Sequence, residues 1–143
     1  MKISSKKAWA FKAILILAMP LPALSAGPTY LGESPDISVY AYTEAIKVVG
    51  PELVEGWTLY DFKSRQFING VSLLSVKSLN IFNCRERRVG ILNDIYYSDG
   101  GGKGRVVWNG AVERSAVQWQ YVAPKSLTEL KFDFVCEMAR NRK

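Results

Sequence analysis

From Asp36 to Tyr121 apolar and polar residues mostly alternate, with Gly, Pro and Asn breaking the pattern at short intervals. Period-two alternation bounded by turn residues predicts antiparallel strands with one face buried. A short strand is expected at Thr29-Tyr30-Leu31. Asp36 to Tyr42 is expected to pair with Leu53 to Phe62 through a turn at Gly50-Pro51. Asn69-Gly70 is read as the next turn and leads into Val71 to Phe82. Arg88 to Ser98 follows as a second long strand, then a loop over Asp99 to Gly104, a short strand at Val106-Val107-Trp108, a turn at Asn109-Gly110, and a last strand from Val117 to Tyr121. In that last strand Val117, Trp119 and Tyr121 are expected to point one way, and Gln118 and Gln120 to water.

The C-terminal segment reads two ways. Ser126-Leu-Thr-Glu129 after Pro124 is a capping box and predicts a helix. The alternation of Leu130, Phe132, Phe134, Cys136 and Met138 with charged residues predicts a strand. As a helix, the segment would gather Leu127, Leu130, Phe134 and Met138 on one face. The residues alone leave both readings open.

Composition narrows the chemistry. In 143 residues there is no histidine, which excludes Ser-His-Asp and Cys-His catalysis, histidine metal ligands and a histidine pH switch. Gly100-Gly-Gly-Lys103-Gly-Arg105 resembles a phosphate loop, but no Ser or Thr follows the lysine, so a flexible hairpin loop is expected instead. Asp61, Asp94 and Glu113 are carboxylates without the spacing or flanks of an acid pair. No catalytic residue, metal site or cofactor is expected. Trp57, Trp108, Trp119 and the Tyr96-Tyr97 pair could form a ligand-stacking surface, but alternation predicts that some of them face a core, and core packing is the expectation.

The net charge of +6 suggests nucleic acid until its positions are examined. Lys2, Lys6, Lys7 and Lys12 precede the apolar run Ala13 to Met19, then Pro20, Pro22 and the small-residue stretch Ala23 to Ala26. That order is a secretory signal peptide over residues 1–26, too short in its apolar part to span a bilayer. The expected mature chain, 27–143, then carries fifteen basic residues against thirteen acidic ones. The nucleic-acid signal is therefore mostly a targeting signal. No cysteine lies near the cut, so neither a lipid anchor nor a membrane span is expected, and the export is to the periplasm or beyond, with the cell surface open.

Export puts Cys84 and Cys136 in an oxidising compartment, where two thiols have one intramolecular pairing available. Arg85, Arg87 and Arg88 follow the first cysteine, and Arg140, Arg142 and Lys143 follow the second. A disulfide would draw these six cations together into a patch for anionic glycans or an acidic protein segment, where arginine makes bidentate contacts. A free C-terminal tail is the competing expectation.

A family resemblance covers residues 37–136. Tyr40-Ala-Tyr-Thr-Glu-Ala-Ile46 and Trp57-Thr-Leu-Tyr-Asp-Phe62 are followed by Phe82-Asn-Cys84-Arg85 and Tyr96-Tyr-Ser98. Trp119-Gln-Tyr-Val122, Pro124 to Glu129 and Phe134-Val-Cys136 complete the order. This ordered set resembles the surface-adhesin protein E family of Gram-negative bacteria. The resemblance implies an α+β fold: an antiparallel sheet of about six strands with a C-terminal helix on its concave face, tethered by the disulfide. It also implies a non-enzymatic protein that binds host extracellular-matrix or serum proteins, and a homodimer as one assembly. Family members held on the outer membrane by a lipidated cysteine differ here, since this chain has no cysteine for it. The alternative expectation is a periplasmic envelope protein or small-ligand carrier with no host partner.

Overall fold

The computed structural model describes residues 27–142. The expected signal peptide and Lys143 lie outside the described residues. Eight strands form one antiparallel sheet: β1 (Thr29–Glu33), β2 (Ile37–Ala41), β3 (Lys47–Val48), β4 (Leu53–Ile68), β5 (Val71–Asn83), β6 (Arg88–Asp99), β7 (Lys103–Ala111) and β8 (Gln120–Tyr121). Six of them run in the order β1-β2-β4-β5-β6-β7, with β3 paired to β4 and β8 to β6. One helix, α1 (Leu127–Arg140), packs against β1, β2, β4 and β5.

Local chemistry accounts for the long central hairpin. Asn69 and Gly70 both adopt positive φ, 50° and 77°, the requirement of the two-residue turn whose twist matches the flanking strands. Ile68 therefore faces Val71, and the pairing continues to Leu53 against Asn83. Four residues of β4, Phe62 to Arg65, stand where β5 has only Leu74.

Several expected turns and strands fall elsewhere. β2 pairs with β4 as expected, Ile37 opposite Phe62 and Ala41 opposite Thr58, but a 3-10 turn at Thr43–Ala45 and β3 lie between them, so Gly50-Pro51 joins β3 to β4. Asn109-Gly110 is no turn: both residues lie within β7, opposite Ile95 and Asp94. The reversal is made instead at Gly100–Gly102, where Gly101 and Gly102 take φ of 68° and 67°. With the bend placed there, the register carries Asn109 and Gly110 into the ladder, and the Trp108 ring covers Gly110 where a Cβ would stand.

The last expected strand shrinks to Gln120–Tyr121, and its inward face is not kept, since Tyr121 is 80% exposed. Residues 112–119 instead run along the free edge of β6 between β7 and β8. Val117 is buried beside Gly90, whose missing side chain leaves it room.

The capping box decides the C-terminal segment. Ser126 Oγ accepts the Glu129 N–H at 3.1 Å, and Glu129 Oε2 accepts the Lys125 N–H at 2.7 Å. The helix does not bury the expected stripe. Leu130 is 42% exposed, whereas Lys131, Phe132, Val135, Cys136 and Ala139 are buried. Those five recur at helical spacing, and four of them, Phe132, Val135, Cys136 and Ala139, meet Ile46, Val54, Phe82 and Val89 in the main core. On the other face of the sheet Ile81, Leu92 and Val117 form a smaller core.

Candidate binding surfaces and cavities

Cys84 and Cys136 form a disulfide with Cα atoms 5.8 Å apart, joining the end of β5 to the middle of α1. The arginines around it diverge. Arg87 donates to Glu129 at 3.0 Å and Asp133 at 3.3 Å, and its guanidinium lies 5.0 Å from the Phe132 ring centroid. Arg88 pairs with Glu86 and points to the opposite face, over Trp119 and Tyr121 at 5.6 and 6.0 Å. Arg142 donates to the backbone carbonyls of Ile46 and Thr43 at 3.0 and 2.7 Å. Arg85 and Arg140 are exposed, with no salt bridge among the described residues. Arg142 thus folds back onto the chain near Thr43 and Ile46, Arg87 and Arg88 diverge, and the disulfide end presents Arg85 and Arg140, while Lys143 lies outside the described residues.

Away from the helix, a cleft of about 530 Å³ is lined by Tyr42, Trp57, Lys77 and Ile95, with Glu44 and Lys47 at its side. Lys77 Nζ lies 5.5 Å from the Tyr42 ring centroid and 5.1 Å from that of Tyr97. Both distances permit cation–π attraction. Gly102 packs against the lysine stem with positive φ, so a side chain there would collide with Lys77 Cε.

The helix face holds a polar cluster that the pattern of the chain conceals. Lys131 is only 4% exposed. Its Nζ donates to Asn80 Oδ1 at 3.1 Å and lies 4.8 Å from the Tyr60 ring centroid. Asn80, fully buried, donates in turn to Thr58 Oγ1 at 2.8 Å and to the Ser78 carbonyl at 2.9 Å. Ser78 donates to Asp94 Oδ1 at 2.5 Å. Neither Lys131 nor Asn80 carried a motif. The sole signal was a lysine standing where helical spacing from Val135 and Ala139 demands an inward residue.

Burial raises the Asp94 carboxyl above its ordinary value of 3.8, against the Ser78 hydrogen bond and the Lys131 charge, which lower it. A raised carboxyl favours the fold fully below the unfolded value and loses that contribution as pH rises through the folded value. Asp94→Asn is therefore expected to gain stability over the parent chain as pH climbs from about 3 to 7. Urea unfolding at several pH values checks this. A stability difference that stays flat or shrinks over that range contradicts it.

The carboxylates considered as an acid pair are separated. Asp61 accepts the Gly101 N–H at 2.9 Å and is in register with Ser75, on the face opposite Asp94. Glu113 is exposed at the sheet edge. Among the described residues no group of three or more Cys, Asp or Glu is placed to hold a metal ion, and no helix is long and apolar enough to cross a membrane.

Among the described residues the architecture is an antiparallel sheet carrying one disulfide-tethered helix, with aromatic and cationic groups on its surfaces. The model of the family "Surface-adhesin protein E" matches residues 29–137, and the chain belongs to that family. The fold is similar to solved structures of protein E from Haemophilus influenzae. Its crystal form II has a TM-score of 0.60 at 17% identity, covering 87% of this chain and 97% of that one. Protein E from the non-typeable organism has a TM-score of 0.56 at 16% identity, covering 83% and 81%. No curated protein gives a significant sequence match.

Proposed function

We propose that the chain is an exported, non-enzymatic, adhesin-like binding protein. It comprises a signal peptide over 1–26 and one domain over 27–143, and it recognises host extracellular-matrix or serum proteins or anionic glycans through its surface. One observation carries this reading: Arg88 stacks against Trp119 and the 80% exposed Tyr121 beside the disulfide. Arginine, tryptophan and tyrosine are the residues that dominate binding hot spots, and a large aromatic held out in water by its neighbours favours a partner. Arg85 and Arg140, exposed and without a salt bridge among the described residues, supply positive charge at the same end of the molecule, suited to acidic groups. Family membership supports the reading, and a homodimer is proposed as one assembly.

Pull-down of purified protein against matrix and serum proteins, alongside heparin-column retention, tests it. Tyr121→Ala is expected to weaken capture about tenfold or more, and Arg85→Ser with Arg140→Ser to shorten heparin retention. All three substitutions lie at exposed positions, so the fold should hold. Capture and retention unchanged in these variants count against the proposed surface. Confinement of the protein to the periplasm counts against a host-facing role and favours the envelope or small-ligand alternative.

A further inference from the structure

Between the first turns of α1, the edge of β6 and the crossing segment 112–120 lies a cavity of about 340 Å³. Tyr60, Asn80 and Lys131 form its inner wall, Ile91 and Val112 its side, and Gln118, Gln120 and Thr128 its mouth. The two glutamines expected to point only to water thus line a cavity. They alternate with Val117, which enters the core on the other face. A volume near the lower end of the range for ligand pockets holds one small molecule, not a polymer.

Lys131 is the unusual member. Lysine is almost never fully buried unless paired, and its ammonium has three donors. Asn80 Oδ1 takes one, the Tyr60 ring faces the ammonium, and no carboxylate lies within salt-bridge distance among the described residues. Asn80 is itself locked by Thr58 and Ser78, so its carbonyl oxygen is held toward the lysine. The ammonium is therefore held in place at a cavity wall with donor capacity to spare. Asp94 feels the Lys131 charge but stands beyond salt-bridge distance, so an anionic oxygen brought from outside can take the remaining donors.

The rest of the lining narrows the anion. A fatty acid needs a long apolar channel, whereas here glutamine, asparagine and threonine side chains surround the entrance with both donors and acceptors. That chemistry suits vicinal hydroxyls. Tyr60 and the apolar side wall offer contact for the C–H face of a ring. We propose that this cavity binds a sugar acid, with its carboxylate on Lys131 and its hydroxyls on Gln118, Gln120 and Thr128. The site opens on the helix face of the sheet, whereas Arg88, Trp119 and Tyr121 stand on the other face, so its ligand is read separately from the proposed partner surface.

Titration calorimetry on the purified, disulfide-bonded protein tests it, with glucuronate as probe and glucose and acetate as controls. Glucuronate is expected to bind saturably by about 10 mM, and each control about tenfold more weakly or worse. Lys131→Met should fold, since an apolar group of similar length suits a buried site, and should lose binding about tenfold or more. Gln118→Ala with Gln120→Ala, at the exposed mouth, should weaken it severalfold and serves alone if the lysine variant does not fold. Absence of saturable binding by glucuronate overturns the proposal. So does acetate binding as well as glucuronate, a folded Lys131→Met that binds normally, or glutamine variants that bind normally. Methyl glucuronide that binds as glucuronate does assigns the site to the terminal residue of a glycan. Binding lost on methylation assigns it to the free sugar acid.

Discussion

Reduction of the Cys84–Cys136 disulfide is expected to remove about 4 kcal/mol of stability, lowering the thermal midpoint by roughly 15 °C. The bridge spans 52 residues of sequence, and releasing so long a loop restores most of the entropy that cross-linking takes from the unfolded chain. It also ties the helix to the sheet in the middle of the main core, since Cys136 is buried among Phe82, Val135 and Ala139. Urea unfolding with and without a reductant, and of Cys84→Ser with Cys136→Ser, checks the figure. A loss under about 1 kcal/mol rules out the loop-entropy account.

Phe132→Ala is expected to cost about 3–5 kcal/mol, the range for deleting a buried aromatic ring. Phe132 is 2% exposed and meets Phe82 edge to face at 6.0 Å between ring centroids. Arg87 covers its ring on the side bearing Glu129 and Asp133, although those ion pairs are too exposed to hold the helix by themselves. The disulfide and the ring anchor the same helix, so the two losses should not add. Once Phe132 is gone the helix is already loosened, and reduction should cost less than in the parent chain. Chemical unfolding of the variant under oxidising and reducing conditions measures this directly, and strict additivity would falsify the picture of one shared anchor.

The legible parts of the fold were those set by near neighbours in sequence. Asn69-Gly70 has only one common outcome between alternating strands, and it makes the predicted turn. Asn109-Gly110 has the same letters, yet it lies in β7 because the glycines after Asp99 bend the chain first. A turn signal is thus local in chemistry but competitive in use. The capping box at Ser126 held for the same local reason, and the family resemblance pointed to the same helix.

The inward stripe of that helix was not legible, nor were the positions of its cations. Reading apolar residues as buried selects Leu130, Phe134 and Met138, yet Leu130 faces water and Lys131 faces the sheet. A lysine becomes a tolerable buried residue only when an acceptor is already waiting, and that acceptor, Asn80, is 51 residues away. The same holds for Arg87 and Arg142. Their nearness to the cysteines suggested one patch, but Asp133 and the carbonyl of Ile46, 46 and 96 residues distant, claimed them individually.

The strand periods, the long hairpin, the one possible intramolecular disulfide and the exclusion of histidine chemistry are thus legible in the residues alone. These follow from backbone geometry, turn residues and counting, which act over a few positions or over the whole composition. Which face of the helix is dry, that Gln118 and Gln120 border a cavity, and that Lys131 stands in its wall with donor capacity to spare are set by the packing of distant segments. Those outcomes depend on which strand lies beneath which turn of helix, because the cost of burying a charge is set by partners that folding alone brings within hydrogen-bond reach.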